Sequence, residues 1–136
     1  MTSDQLADSL VLHFNAISDP LIAFQAIKPE VAEADKECSD FAVFVIPFGE
    51  SEAAFDRGDT SREERVVSVV VNGPIGQVTK SIALAFCESL RRSLRETEFD
   101  GLRWSGNETV SVYDFDALNT KSQFLHLFRA TYFTFA

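Results

Sequence analysis

The chain is 136 residues long, with 46% hydrophobic and 24% charged residues and a formal net charge of −9. This length supports one domain, residues 1–136, whose core stands without disulfide or metal staples. The acidic balance excludes a surface that wraps DNA, because phosphate binding rests on clustered Lys and Arg, and two cysteines, Cys38 and Cys87, exclude a disulfide framework or a cysteine zinc site.

In chain order, Thr2 and Gln5 form a capping-box pattern. Leu6, Leu10, Phe14 and Ile17 then make one apolar stripe, which predicts a helix over residues 4–17. Pro20 stops it, since the residue before a proline is pushed out of the helical region. Leu21 to Ile27 reads as a strand, and Lys28 to Asp40 as an acidic connection. Phe41 to Ile46 is apolar on both faces, the pattern of a central strand covered on both sides. Pro47 offers no amide to a ladder and is expected to mark that strand's end or a bare edge.

Residues 49–64 are polar, charged and glycine-containing. Set between two strong strands, they read as a long β-hairpin arm or loop, and a connection of that length points to function. Val66 to Val71 holds five valines in six residues. Valine is stiff at χ1 and packs well on a pleated surface, so this is a strand, with Val67, Val69 and Val71 on one face. The link from Asn72 to Ser81 carries Pro74 and Thr79 where a phosphate-binding loop requires glycines. It reads instead as a connector, with Thr79 or Ser81 capping the next helix. Ile82, Phe86, Leu90 and Leu94 form that helix's apolar stripe, beside Ala83 and Cys87. Glu88, Arg91, Arg92 and Arg95 are expected on the opposite side, pairing across single turns.

Asp100 and Gly101 then turn the chain, and Leu102 to Trp104 reads as a short strand. Ser105 to Asn107 reads as a second turn, Val110 to Phe115 as a strand, and Asp116 to Gln123 as a polar bridge. Phe124 to Phe135 is a final long strand. The order of helix, strands, long hairpin, helix and strands predicts an α+β fold, mostly antiparallel, with helices packed on the sheet.

Few residues suggest chemistry. His13 borders the first helix's stripe and His126 shares a strand face with Phe124 and Phe128, so both are expected to be structural. The chain carries no nucleophile-elbow motif and no metal-ligand spacing, and Glu63 and Glu64 read as a solvated face. Catalytic, cofactor-binding and metal residues are therefore expected to be none. No apolar run reaches membrane-spanning length and no secretory signal is read, so a reducing aqueous compartment is expected.

Three stretches then stand out against this order: Cys87-Glu88-Ser89-Leu90-Arg91-Arg92-Ser93-Leu94, Val112-Tyr113-Asp114-Phe115-Asp116, and Phe128-Arg129-Ala130-Thr131-Tyr132-Phe133. Behind an N-terminal helix and two apolar strands joined by a polar hairpin, they resemble the tail terminator (tail completion) proteins of long-tailed bacteriophages. The resemblance covers nearly the whole chain and lies in element order rather than in one motif. It implies a ring, usually of six subunits, that caps the tail tube, stops its polymerisation and offers a surface to the head connector.

The resemblance also implies no enzyme activity and no cofactor. The implied partners are copies of the chain itself, the tail tube protein and a connector or neck protein. DNA passes through without specific binding, no membrane is involved, and the protein sits at the head-proximal end of the virion tail after assembly in the host cytoplasm. The alternatives are a head-side neck protein, a small cytosolic enzyme and a peptide-binding adaptor. Ring contacts run head to tail. They are expected at Glu50, Glu52, Phe55, Asp56, Arg57, Asp59, Arg62, Glu63 and Glu64 of the arm, and at Tyr132, Phe133 and Phe135 of the last strand.

Overall fold

The computed structural model describes residues 1–29, 40–54 and 61–135. Its elements are α1 (Ser3–Asn15), β1 (Phe24–Ile27), β2 (Phe41–Ala54), β3 (Ser61–Pro74), α2 (Lys80–Ser93), β4 (Glu98–Phe99), β5 (Leu102–Ser111), α3 (Phe115–Lys121) and β6 (Gln123–Phe135). The strands form one curled sheet in the order β1-β2-β3-β6-β5-β4. β1 and β2 pair in parallel and every other pairing is antiparallel. The expected α+β class with a mostly antiparallel sheet is thus observed.

Local chemistry explains the two long helices. Thr2 Oγ1 accepts from the Gln5 amide (3.2 Å) while Gln5 Oε1 accepts from the Thr2 amide (2.8 Å), so the capping box closes at the start of α1. Leu6, Leu10 and Phe14 are fully buried on its inner face. The helix stops at Asn15, whose side chain bonds both backbone groups of Ala26 in β1. Thr79 caps α2, accepting from the Ile82 amide (3.3 Å), and Ala83, Phe86, Cys87 and Leu90 are buried. His13 and Ser93 join the two helices through a 3.0 Å hydrogen bond. Between helices and sheet lies one core, to which β2 gives Val43 and Val45, β3 gives Val67, Val69 and Val71, and β6 gives Phe124, Phe128 and Tyr132.

Three expectations fail, each for a physical reason. Pro47 does not end its strand: β2 continues to Ala54 through a bulge between Pro47 and Gly49, which absorbs the missing amide and inserts Phe48 as an extra residue. β2 is otherwise the interior strand expected, paired with β1 and β3 and buried at Val43 and Val45 on one face and at Phe44 on the other. Ser105 to Asn107 does not turn. It lies within β5, where register shifts at Trp104/Gly106 and Thr109/Ser111 accommodate the glycine. Finally, β5 ends at Ser111, and Asp114 accepts from the Ala117 amide (3.0 Å) to cap α3. That helix takes up Phe115 and most of the expected polar bridge, so a capping aspartate overrides the apolar alternation of Val110 and Val112.

The first expected strand is shorter than read. Asp19 Oδ1 accepts from the amides of Leu21 and Ile22 (both 2.9 Å), holding residues 19–22 in a turn before β1. β2 and β3 pair from Ala42↔Asn72 as far as Ala54↔Ser61. The tip of the expected arm, residues 55–60, lies outside the described residues.

Candidate functional site

Strand alternation gives the sheet two faces, and α1 and α2 cover one. On the other face a second cluster forms around Phe44 and Val70, which are 4% and 9% exposed. Its remaining members are Ile27, Ala42, Ile46, Leu125 and Leu127, so among the described residues every contributor comes from a strand and none from a helix. An apolar sheet face of this kind, to which the described helices contribute nothing, is a surface suited to further burial against another protein.

Toward the end of the sheet at Ala54 and Ser61 the face changes character. Phe48 and Phe135 are 56% and 55% exposed. The Arg129 guanidinium reaches from β6 across Ser68 to lie 3.9 Å from the centre of the Phe48 ring. Arg62 sits 4.3 Å from the Phe133 ring centre and pairs with Glu64 Oε1 at 3.1 Å. Arginine stacked on aromatic rings holds charge and apolar area in one plane, a composition common where proteins meet. Arg129 Nε is buried without a hydrogen-bond partner among the described residues.

The residues expected to make contacts divide between the faces. Arg62, Glu64, Phe133 and Phe135 come together on the uncovered face through the pairings Arg62↔Phe135 and Glu64↔Phe133. Glu50 and Glu63 point the other way. Glu50 Oε1 accepts from the Ser3 amide (2.6 Å) at the start of α1, and this bond holds its carboxyl below the usual range. Arg65 binds Glu63 (3.3 Å) and the Met1 carbonyl (3.1 Å), tying β3 to the N-terminus. Glu52 accepts from the Ser61 hydroxyl across the strand pair (3.0 Å). Tyr132 is fully buried beneath the helices, where its hydroxyl shares a 2.5 Å hydrogen bond with Thr97 and burial pushes it up to about 12. Phe55, Asp56, Arg57 and Asp59 lie outside the described residues.

Sequence reasoning missed Phe48, Arg129 and the strand-only cluster. The signal was present in Phe41 to Ile46 and in Phe124 to Leu127, which are apolar on both faces and so demand a cover on both. The helices supply one cover. Among titratable groups, burial pushes the Cys87 thiol up to about 12, as for a core hydrophobe. Among the described residues no group of His, Cys, Asp and Glu is arranged to hold a metal ion, and no helix is long and apolar enough to cross a membrane. No protein-family model matches the chain, and no curated protein matches it in sequence.

Proposed function

We propose that this chain is a structural virion subunit, copies of which form a ring that caps a phage tail tube. The ring ends tube polymerisation and offers the surface that joins the head. The observation that carries the reading is the sheet face to which the described helices contribute nothing, apolar around Phe44 and Val70 and bordered by arginine–aromatic stacks. Such a face is suited to persistent contact rather than to turnover of a small substrate. The element order that resembles tail terminators adds the ring, usually of six subunits, and the tube and connector as its neighbours. A hairpin arm built on the paired ends of β2 and β3 would reach the next subunit head to tail.

The net charge of −9 fits a conduit for DNA, since a duplex gains no counterion release from an acidic wall and slides without sticking. No cofactor, membrane or catalytic step enters this reading. Particles assembled without the protein test it. Tails of uncontrolled length that fail to join heads are the expected result. Tails of normal length with head joining alone lost would overturn capping and favour a neck protein.

A further inference from the structure

The chain has 21 acidic and 12 basic residues, so an arginine has an ample choice of carboxylates. Arg62 and Arg65, both half-buried, take Glu64 and Glu63. Arg91 is half-buried too, yet no carboxylate lies within 4.0 Å of it among the described residues. The expected solvent-side pairing of α2 holds for Glu88 and Arg92 (2.7 Å), while Arg91 turns inward.

Its position is fixed by a histidine. His126 is 1% exposed, between Phe124 and Phe128, and its Nδ1 lies 2.7 Å from the Val112 carbonyl. A carbonyl only accepts, so Nδ1 carries the proton and Nε2 is the acceptor. Arg91 Nη1 donates to that Nε2 at 2.8 Å. Burial and the neighbouring guanidinium both lower the pKa of His126, which keeps the ring neutral. The guanidinium also sits 5.9 Å from the Phe128 ring centre. One donor of Arg91 is thus used and its orientation is set.

Arg91 also lines a groove of about 490 Å³ between α2 and the end of β5. Its walls are apolar at Leu84 and Val112, and the hydroxyl-bearing Ser81 and Thr109 line it as well. Glu88 stands at the rim, held by Arg92. We propose that this groove binds a carboxylate on a short apolar stem, the carboxylate on Arg91 and the stem against Leu84 and Val112. A planar carboxylate matches the fork of a guanidinium, and one arginine balances one negative charge. A phosphate dianion would leave charge uncompensated beside Glu88. The carboxylate is either that of a free small acid or that of a side chain on a second copy of this acidic protein. The inference does not rest on the capping function, because the groove and the uncovered face are separate.

Titration of the purified protein with hexanoate, followed by NMR at the Arg91 side-chain Nε–H and the His126 ring, tests the site. A saturable shift is expected at both groups. Arg91→Gln keeps a donor for His126 Nε2 but loses the charge, and should weaken binding about tenfold or more, the loss expected for a charge-assisted bond. Glu88→Gln removes the carboxylate that lines the groove and should tighten binding. Its fold does not depend on Arg91, so it reads the site even if Arg91→Gln unfolds. No saturable shift, or hexanoate binding unaffected by both substitutions, overturns the proposal. The source is read from self-association in the same samples. If hexanoate and Arg91→Gln both weaken self-association, the carboxylate belongs to a second copy. If neither does, the bound species is a free acid.

Discussion

Single residues carry much of the specificity of this fold. Gly73 in β3 lies under the Phe41 ring, and a Cβ built there would stand 2.4 Å from Phe41 Cγ. That atom is the root of a buried ring stacked edge-on with Phe86, not the tip of a flexible chain. Gly73→Ala should therefore cost about 1–3 kcal/mol by overpacking. Chemical denaturation measures this, and an unchanged midpoint would mean the ring moves aside freely. The two histidines set a pH response. Burial lowers both pKa values below 6.5, so above that pH the folded and unfolded chains are both neutral at these sites. As pH falls below 6.5 the unfolded chain takes up protons that the folded chain resists, and stability drops. Thermal melts should show this loss on the acid side of pH 6.5, ahead of the titration of Glu50, whose carboxyl is held below 4.5. His13→Gln and His126→Gln should each remove part of the slope. A melting temperature flat through this window would contradict the buried, neutral assignment.

At the scale of elements, the apolar stripe of α2 joins the core between helices and sheet. Phe86 is 2% exposed, 4.8 Å from the Phe24 ring centre and 6.3 Å from that of Phe41. Phe86→Ala should cost about 3–5 kcal/mol, combining lost transfer energy with a cavity. A loss under about 1 kcal/mol would mean that α2 does not anchor there. This helix was legible in the sequence because its stripe repeats every turn and Thr79 caps it. The capping box of α1 and the valine strand were legible for the same reason, since local chemistry and tertiary packing agree there. The region after Asp100 was not. Ser105 to Asn107 carries turn residues, yet pairing with β6 holds it extended through two bulges. Asp114 looked like part of a strand and proved to be a cap. The uncovered face was half legible: the alternation of Phe133 and Phe135 was visible, but Phe48 reaches that face only through the bulge beside Pro47. Arg129 joins it through a partner two strands away. No local pattern encodes either contact.

For the whole molecule, the consequence is a sheet whose described helices pack on one face only. Leu127 is half-buried on the uncovered face, opposite Val70. Leu127→Lys should leave the core beneath the helices intact and abolish assembly, which light scattering and a thermal melt on the same sample would report. Assembly that survives a charge at that position would mean that copies meet elsewhere. The capping account itself is tested most directly on growing tail tubes. Tube subunits polymerise because each added ring exposes the same unsatisfied surface, and a terminator must match that surface on one side only. Purified tube protein polymerised with and without this chain, and measured by electron microscopy, gives the answer. The account predicts that added protein arrests elongation and appears as a ring at one tube end. Tubes that elongate at the same rate to the same lengths, with bare ends, would contradict it.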